Sequence, residues 1–338
     1  MRAFADTPAP SQVAAWTRGP IVESFLSAWE LNNARWDPNF RGTGNGLLRI
    51  GGKRQSPPIW IVAHWDAISF LIDKKMDDQY LLIPFHHHVM TEGTQPGLVL
   101  RYDVSEAKYA TICEGIIVGG QTASFAPIKD VELRKGDRVV YHTPMQQLKG
   151  DLYSGQMDNA AGCAAALLAG AFLSRIPDLN ALVCFVDEEE GPVAHGNTAF
   201  ARGSKRLLRE LSTPKIALAV DLHNVGRGER NPHLGKGAVF HEQASHARGA
   251  VTPPWLYDTV RELAARYAPD VRLLESTSGG VHRGDCTSLM EVTPNVVLCG
   301  PPSTGRHYVD GPYVCSSSDV AQLARSLAVI THHFQSCP

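Results

Sequence analysis

The chain has 338 residues, 43% hydrophobic and 20% charged. That is room for one large domain or two modest ones at roughly 150 residues each, and a core of this size excludes an intrinsically disordered chain. Thirty-two basic against thirty-four acidic side chains leave a net charge of −2, a poor balance for a protein that tracks nucleic-acid phosphates.

In chain order, Pro20–Leu31 predicts an amphipathic helix that opens on proline and gathers Ile21, Val22, Phe25, Leu26 and Trp29 on one side. A glycine-rich turn at 42–46 precedes apolar strands at Leu47–Ile50 and Ile59–Ala63. From residue 70 to 154 the character changes. Short β-like runs (Tyr80–Ile83, Gly97–Tyr102, Ile116–Val118, Arg138–Tyr141) are broken by Gly, Pro and Asp, and no long helix is evident. This stretch reads as an inserted β domain. Alternation then returns: helices at Ala160–Leu173, Ala199–Leu211, Pro254–Tyr267 and Asp319–Phe334, with strands at Ala181–Val186, Ile216–Val220 and Asn295–Leu298. The expected fold class is α/β: a mixed sheet flanked by helices, formed by residues 1–69 and 155–338, with 70–154 as the insert. Ligands of such sheets sit at the carboxyl ends of the strands.

Seven cysteines at wide spacing, without a C-x-x-C pair, read as reduced thiols of a cytoplasmic protein. No signal-peptide pattern or bilayer-length apolar run is present, so neither a membrane nor a nucleic acid is an expected partner.

Four junctions between an apolar strand and acids or histidine carry the chemistry. The strand Ile59–Ala63 delivers His64 and Asp66, two apart and therefore on one side of an extended segment. His64 suits a metal ligand with Asp66 orienting its ring; a satisfied loop histidine is the ordinary alternative. Asp158 precedes a helix of small residues, where an N-cap is the ordinary reading. Asp187, Glu188, Glu189 and Glu190 follow a wholly apolar strand and are turned at once by Gly191-Pro192. Crowded carboxylates there need a balancing cation or a proton. One can ligate a metal while its neighbour acts as general base. Asp221 ends a fourth apolar run, with His223 two residues on. Oxygen-rich sites with one or two imidazoles suit Zn, Mn or Co.

The order of these motifs resembles the tetrahedral (glutamyl) aminopeptidase family of the co-catalytic metallo-aminopeptidase clan. It is carried by Gly44-Asn45, His64-Trp65-Asp66, Asp158 through Gly162, Glu188-Glu189-Glu190-Gly191, Asp221, Gly235-Lys236-Gly237-Ala238 and Gly279-Gly280-Val281-His282. Val131 through Asp137 fits the family's return from its insert. The resemblance implies a PDZ-like or barrel-like insert and one or two divalent transition metals per chain (Mn, Zn or Co). Asp158 would bridge the metals, with His64 and Asp221 completing one position and Glu189 serving the other. Glu188 would be the general base and Asp66 would support His64. A homo-oligomer is implied as well.

Departures from the family pattern are concentrated late. The final ligand falls on His307 or on Asp310, depending on the alignment. Extra polar groups, His223, His282, Arg283 and Arg306, stand near positions that meet substrate and favour a ligand with a carboxylate. The first expectation is a metal-dependent hydrolase cleaving a C–N bond in a small aromatic amine that bears a carboxylate, of the 5-nitroanthranilate type, with release of ammonia. The alternatives are an aminopeptidase acting on peptide N-termini and a non-catalytic oligomeric relative.

Overall fold

A computed structural model describes residues 1–51, 57–86, 92–191, 201–225, 233–243, 250–267, 284–305 and 311–336. Among them, a sheet of seven strands forms the centre. Its spatial order is Ala34–Asp37, Gly46–Ile50, Ala181–Val186, Ile59–His64, Ile216–Val220, Val296–Gly300 and Val239–His241. Four consecutive strands of this order, from Ala181–Val186 to Val296–Gly300, run parallel to one another. Their side chains are buried on both faces, which explains why these segments read as unbroken apolar runs rather than alternating ones. Antiparallel strands close both edges.

The helix Ala160–Leu173 lies on one face, packed against the closing helix Ser317–Ser336. It is built almost entirely of Ala, Gly and Leu, and that choice lets it approach the sheet closely. The cap at its start is Asn159, whose Oδ1 accepts from Gly162 N at 3.1 Å. A side chain at Gly162 would collide with that oxygen, so the capped turn requires glycine. Capping thus falls one residue beyond the position expected from the sequence, and Asp158 is left for other work.

Residues 69–141 contain a closed six-stranded antiparallel barrel: Ser69–Met76, Gln79–Pro84, Ser124–Pro127, Lys108–Gly119, Gly93–Asp103 and Arg138–Tyr141. Closure removes the exposed edges an isolated meander would leave. A smaller five-stranded sheet joins Gln146–Gln147, Leu152–Gly155, Tyr313–Ser316, Pro302–Thr304 and His223–Asn224. Its short strands lack a distinct sequence signal, yet it carries a residue of the site. No helix among the described residues is long and apolar enough to cross a membrane.

Candidate metal centre

The parallel strands Ile59–His64 and Ile216–Val220 are neighbours, so their carboxyl ends bring His64 and Asp221 together. Asn159 ties the third element to them: its Nδ2 donates to Val220 O at 2.7 Å. As a result one donor atom from each of His64, Asp158 and Asp221 lies within 4.8 Å of the others. His64 Nε2 is 3.3 Å from Asp158 Oδ1 and 3.5 Å from Asp221 Oδ1. One imidazole nitrogen and two carboxylate oxygens form a donor set suited to Zn, Mn or Co.

His64 is oriented from behind. Its Nδ1 faces the Asp66 carbonyl at 3.2 Å and the Asp66 carboxylate at 3.6 Å. A proton on Nδ1 answers both, which leaves Nε2 as the donor to a metal. Below, Cys163 Sγ donates to His64 O at 3.1 Å. Burial opposes charge on His64, but the field of Glu189 and hydrogen bonds with Asp158, Asp221 and Asp66 outweigh it, raising its pKa well above the ordinary imidazole value. A proton on this ring occupies the place a cation would otherwise hold.

The acidic loop divides. Asp66, fully buried, accepts from Glu189 N and Glu190 N, each at 3.1 Å. Glu189 is under the influence of His64, Glu190, Asp221 and Asp285, and Glu190 under that of Asp158, His64, Asp66 and Asp221. Burial, first, and these neighbouring acids push both carboxyls well above their usual range. Glu189 Oε1 and Asp221 Oδ2 both crowd the Gly284 Cα, where a methyl group would sit 3.3 and 3.0 Å from them.

Glu188, which the resemblance implies as the general base, has partners on both carboxylate oxygens. Its backbone is left-handed, with φ +55°. Its Oε1 accepts from Gln12 Nε2 at 2.7 Å, and its Oε2 pairs with Arg206 at 2.7 Å. Both oxygens are therefore engaged by an amide and a guanidinium, not by the centre. Asp187 is likewise anchored: it accepts from Gln12 N at 2.9 Å and Glu188 N at 2.8 Å, and its own N donates to Asn45 Oδ1 at 2.9 Å. Gly44 lies against the Asp187 side chain at φ +82°, a conformation and a closeness that only glycine tolerates. The Gly44-Asn45 pair thus buttresses the acidic loop.

Two contributors had no sequence signal of their own. Tyr313 is buried and donates from its hydroxyl to Asp158 Oδ2 at 3.2 Å. Asp285, at the start of the helix Asp285–Met290, accepts from Ser204 Oγ at 2.6 Å. Burial, opposed by His64, pushes its pKa up to about 7. Its position directly after Gly284 was the one available hint. His223, expected to meet substrate, is buried, with Nδ1 2.7 Å from His241 Nε2. The glycines of the 235–237 loop donate from Gly235 N and Gly237 N to the two oxygens of Asp319, each at 2.7 Å. His86 is buried edge-on to Phe70 in the barrel. His87, His88, His282, Arg283, Arg306, His307 and Asp310 lie outside the described residues.

The M42 glutamyl aminopeptidase family profile matches residues 93–320, more than half the chain. The chain belongs to the M42 family. Members of this family are metal-dependent hydrolases, and so is this enzyme. The architecture is shared with solved structures of low identity. An aminopeptidase from the archaeon Desulfurococcus kamchatkensis matches with a TM-score of 0.75 at 17% identity, covering 98% of this chain and 93% of that one. A TET aminopeptidase from a marine-sediment thaumarchaeon matches at 0.75 and 14%, covering 99% and 97%. The TET1 peptidase of Pyrococcus horikoshii matches at 0.71 and 16%, covering 97% of each. No curated protein matches the chain significantly. The M42 match supports the peptide-cleaving alternative above the aromatic aminohydrolase that the late departures favoured.

Proposed function

We propose that this M42 enzyme is an aminopeptidase that removes N-terminal residues from peptides with a divalent Mn, Zn or Co ion. The observation that carries this reading is the His64–Asp158–Asp221 donor set, with Glu189 Oε1 beside Asp221 at Gly284 and the Glu189 and Glu190 amides held by Asp66. A metal held there supplies Lewis acidity and acidifies coordinated water. The chain supplies the rest. Asp66 fixes the tautomer of His64, and Tyr313 and Asn159 fix Asp158 beside Asp221. Glu189 and Glu190 are the carboxylates available to take a proton from the attacking water and return it to the leaving amine. Glu189 or Glu190 would help to hold a second metal ion if one binds. In this reading Glu188, held by Gln12 and Arg206, anchors the loop and leaves the base role to its neighbours.

His282, Arg283 and Arg306 are proposed contacts for the polar end of the substrate, and His307 or Asp310 a late ligand. We assign the catalytic unit to residues 1–69 and 155–338 and the inserted domain to 70–154. Self-assembly is proposed because the P. horikoshii peptidase assembles into a tetrahedron or a large octahedral shell. The six cysteines among the described residues are free and buried, which suits a cytoplasmic setting.

The test is a panel of unblocked and N-acetylated peptides, run beside carboxylated aromatic amines, with and without a chelator. The expected result is loss of the first residue from unblocked peptides only, abolished by chelation. Glu189→Gln or Glu190→Gln should lower kcat by roughly a hundredfold or more. Ammonia release from the aromatic amines without peptide cleavage would overturn the reading.

A further inference from the structure

The segment at residues 9–12 precedes the stretch that carries the family resemblance, yet it runs beneath the centre. Pro10 forms a bridge with Ala67, and Ala67 N donates to Ala9 O at 2.8 Å. Ser11 and Gln12 then touch three acids. Ser11, fully buried, donates from Oγ to Asp66 Oδ2 at 2.7 Å. Gln12 donates from its backbone to both oxygens of Asp187, at 2.9 and 3.0 Å, and from Nε2 to Glu188 Oε1 at 2.7 Å. Arg138 of the barrel holds Ser11 by its carbonyl. Gln12 sits at φ +73°, an unfavourable conformation for a residue with a side chain. The turn faces both its backbone and its side chain to the acidic loop.

These contacts converge on the two groups that decide where the acidic loop points. Asp66 accepts the amides of Glu189 and Glu190, and Ser11 shares the oxygen that accepts from Glu190. Glu188 is gripped on one oxygen by Gln12 and on the other by Arg206. With Asp66 and Glu188 fixed, the backbone of the next two residues is set, and Glu189 Oε1 stands with Asp221 Oδ2 over the Gly284 Cα.

We propose that Ser11 and Gln12 are positioning residues of the metal centre, holding Asp66 and Glu188 so that Glu189 and Glu190 present their carboxylates to it. This rests on the reading of the three-residue donor set as a metal site. It differs from a strap that only fastens the segment to the sheet, because a strap would affect stability alone.

Ser11→Ala and Gln12→Gly in the full chain separate the two roles. Gln12→Gly suits φ +73° and keeps the backbone donation to Asp187, so it removes only the grip on Glu188. Its melting temperature should match or exceed that of the parent protein. Mn2+ affinity, followed by electron paramagnetic resonance, should fall about tenfold for Gln12→Gly and between about tenfold and a hundredfold for Ser11→Ala, the range for groups that orient metal ligands. Hydrogen exchange of the Glu189 and Glu190 amides, measured without metal, should quicken in Ser11→Ala. Parental exchange rates in Ser11→Ala, or parental Mn2+ affinity in both variants, would overturn the proposal. The exchange readout needs neither turnover nor bound metal. A chain that cleaves no peptide but shows the exchange response would therefore sink the peptidase reading and leave the positioning role standing.

Discussion

The barrel and the strand ends of the sheet both bury acids, and they treat them differently. In the barrel, Asp137 is buried, but Arg101 closes on its two oxygens at 2.9 and 2.6 Å and Arg134 N adds a third bond at 2.8 Å. At the strand ends, Asp158, Asp187, Glu189, Glu190 and Asp285 are all buried in one region, with Asp221 beside them. Arg206 is engaged by Glu188. Arg18, fully buried nearby, directs its donors to the carbonyls of Phe4 and Trp65. A buried acid with a local cation and full hydrogen bonds is structure. At the strand ends the acids instead crowd one another around the His64 imidazole, and a cation from outside would relieve that repulsion.

The comparison breaks most visibly if the cluster loses its central member. Asp158→Asn should abolish tight binding of the metal and lower kcat/KM on the order of a thousandfold, since the metal contributes several kcal/mol to the reaction. Metal analysis of the purified variant and steady-state assays check this together; near-parental activity would mean that the donor set is not the reactive centre.

A second effect comes from pH. In the metal-free chain, burial raises Asp187, Glu189 and Glu190 above their usual range and Asp285 to about 7. Through that window the native state binds more protons than the unfolded chain, so stability falls as pH rises. His64, also raised, acts in the same sense: its contribution is full below the ordinary imidazole value and is lost as pH climbs through the folded one. Thermal melts from roughly pH 5 to 8 should show a decline of several degrees without metal. With Mn2+ or Zn2+ the slope should flatten or reverse, because deprotonated ligands bind the ion better. A metal-free protein that gains stability across this range would contradict the account of the cluster.

The smallest expected effect is at the barrel. Asp137→Asn should cost roughly 1 to 3 kcal/mol of stability through the bonds with Arg101 and Arg134. Metal affinity should stay unchanged. Calorimetric unfolding alongside metal titration checks both halves, and a loss of affinity would mean that the barrel and the centre are energetically joined.

Much of the fold was legible because its driving pattern is local. Apolar runs that end in acids mark parallel strands, and the change of texture after residue 69 marks the barrel. The three donors were legible singly, His64 and Asp221 at the ends of their strands and Asp158 ahead of its helix. Their convergence depends on sheet order, which brings residues 64, 158 and 221 to one point. The direction of each acid in the 187–190 run was not legible. It is decided by a left-handed backbone at Glu188 and by partners at residues 12 and 206, far away in sequence. Tyr313 and Asp285 were missed for a similar reason. One reaches Asp158 from a short strand of the minor sheet, and the other faces Glu189 only after the chain has folded back.

The thiol of Cys163, hydrogen-bonded to the His64 carbonyl, has a practical consequence. It is buried, and its pKa is pushed up to about 12, so the thiolate that alkylating reagents require forms only when that part of the core comes apart. Its rate of modification is therefore a clock for rare excursions in which the floor beneath the histidine lifts. The slowing of that clock by an added ion would measure how firmly the ion locks the helix Ala160–Leu173 to the sheet.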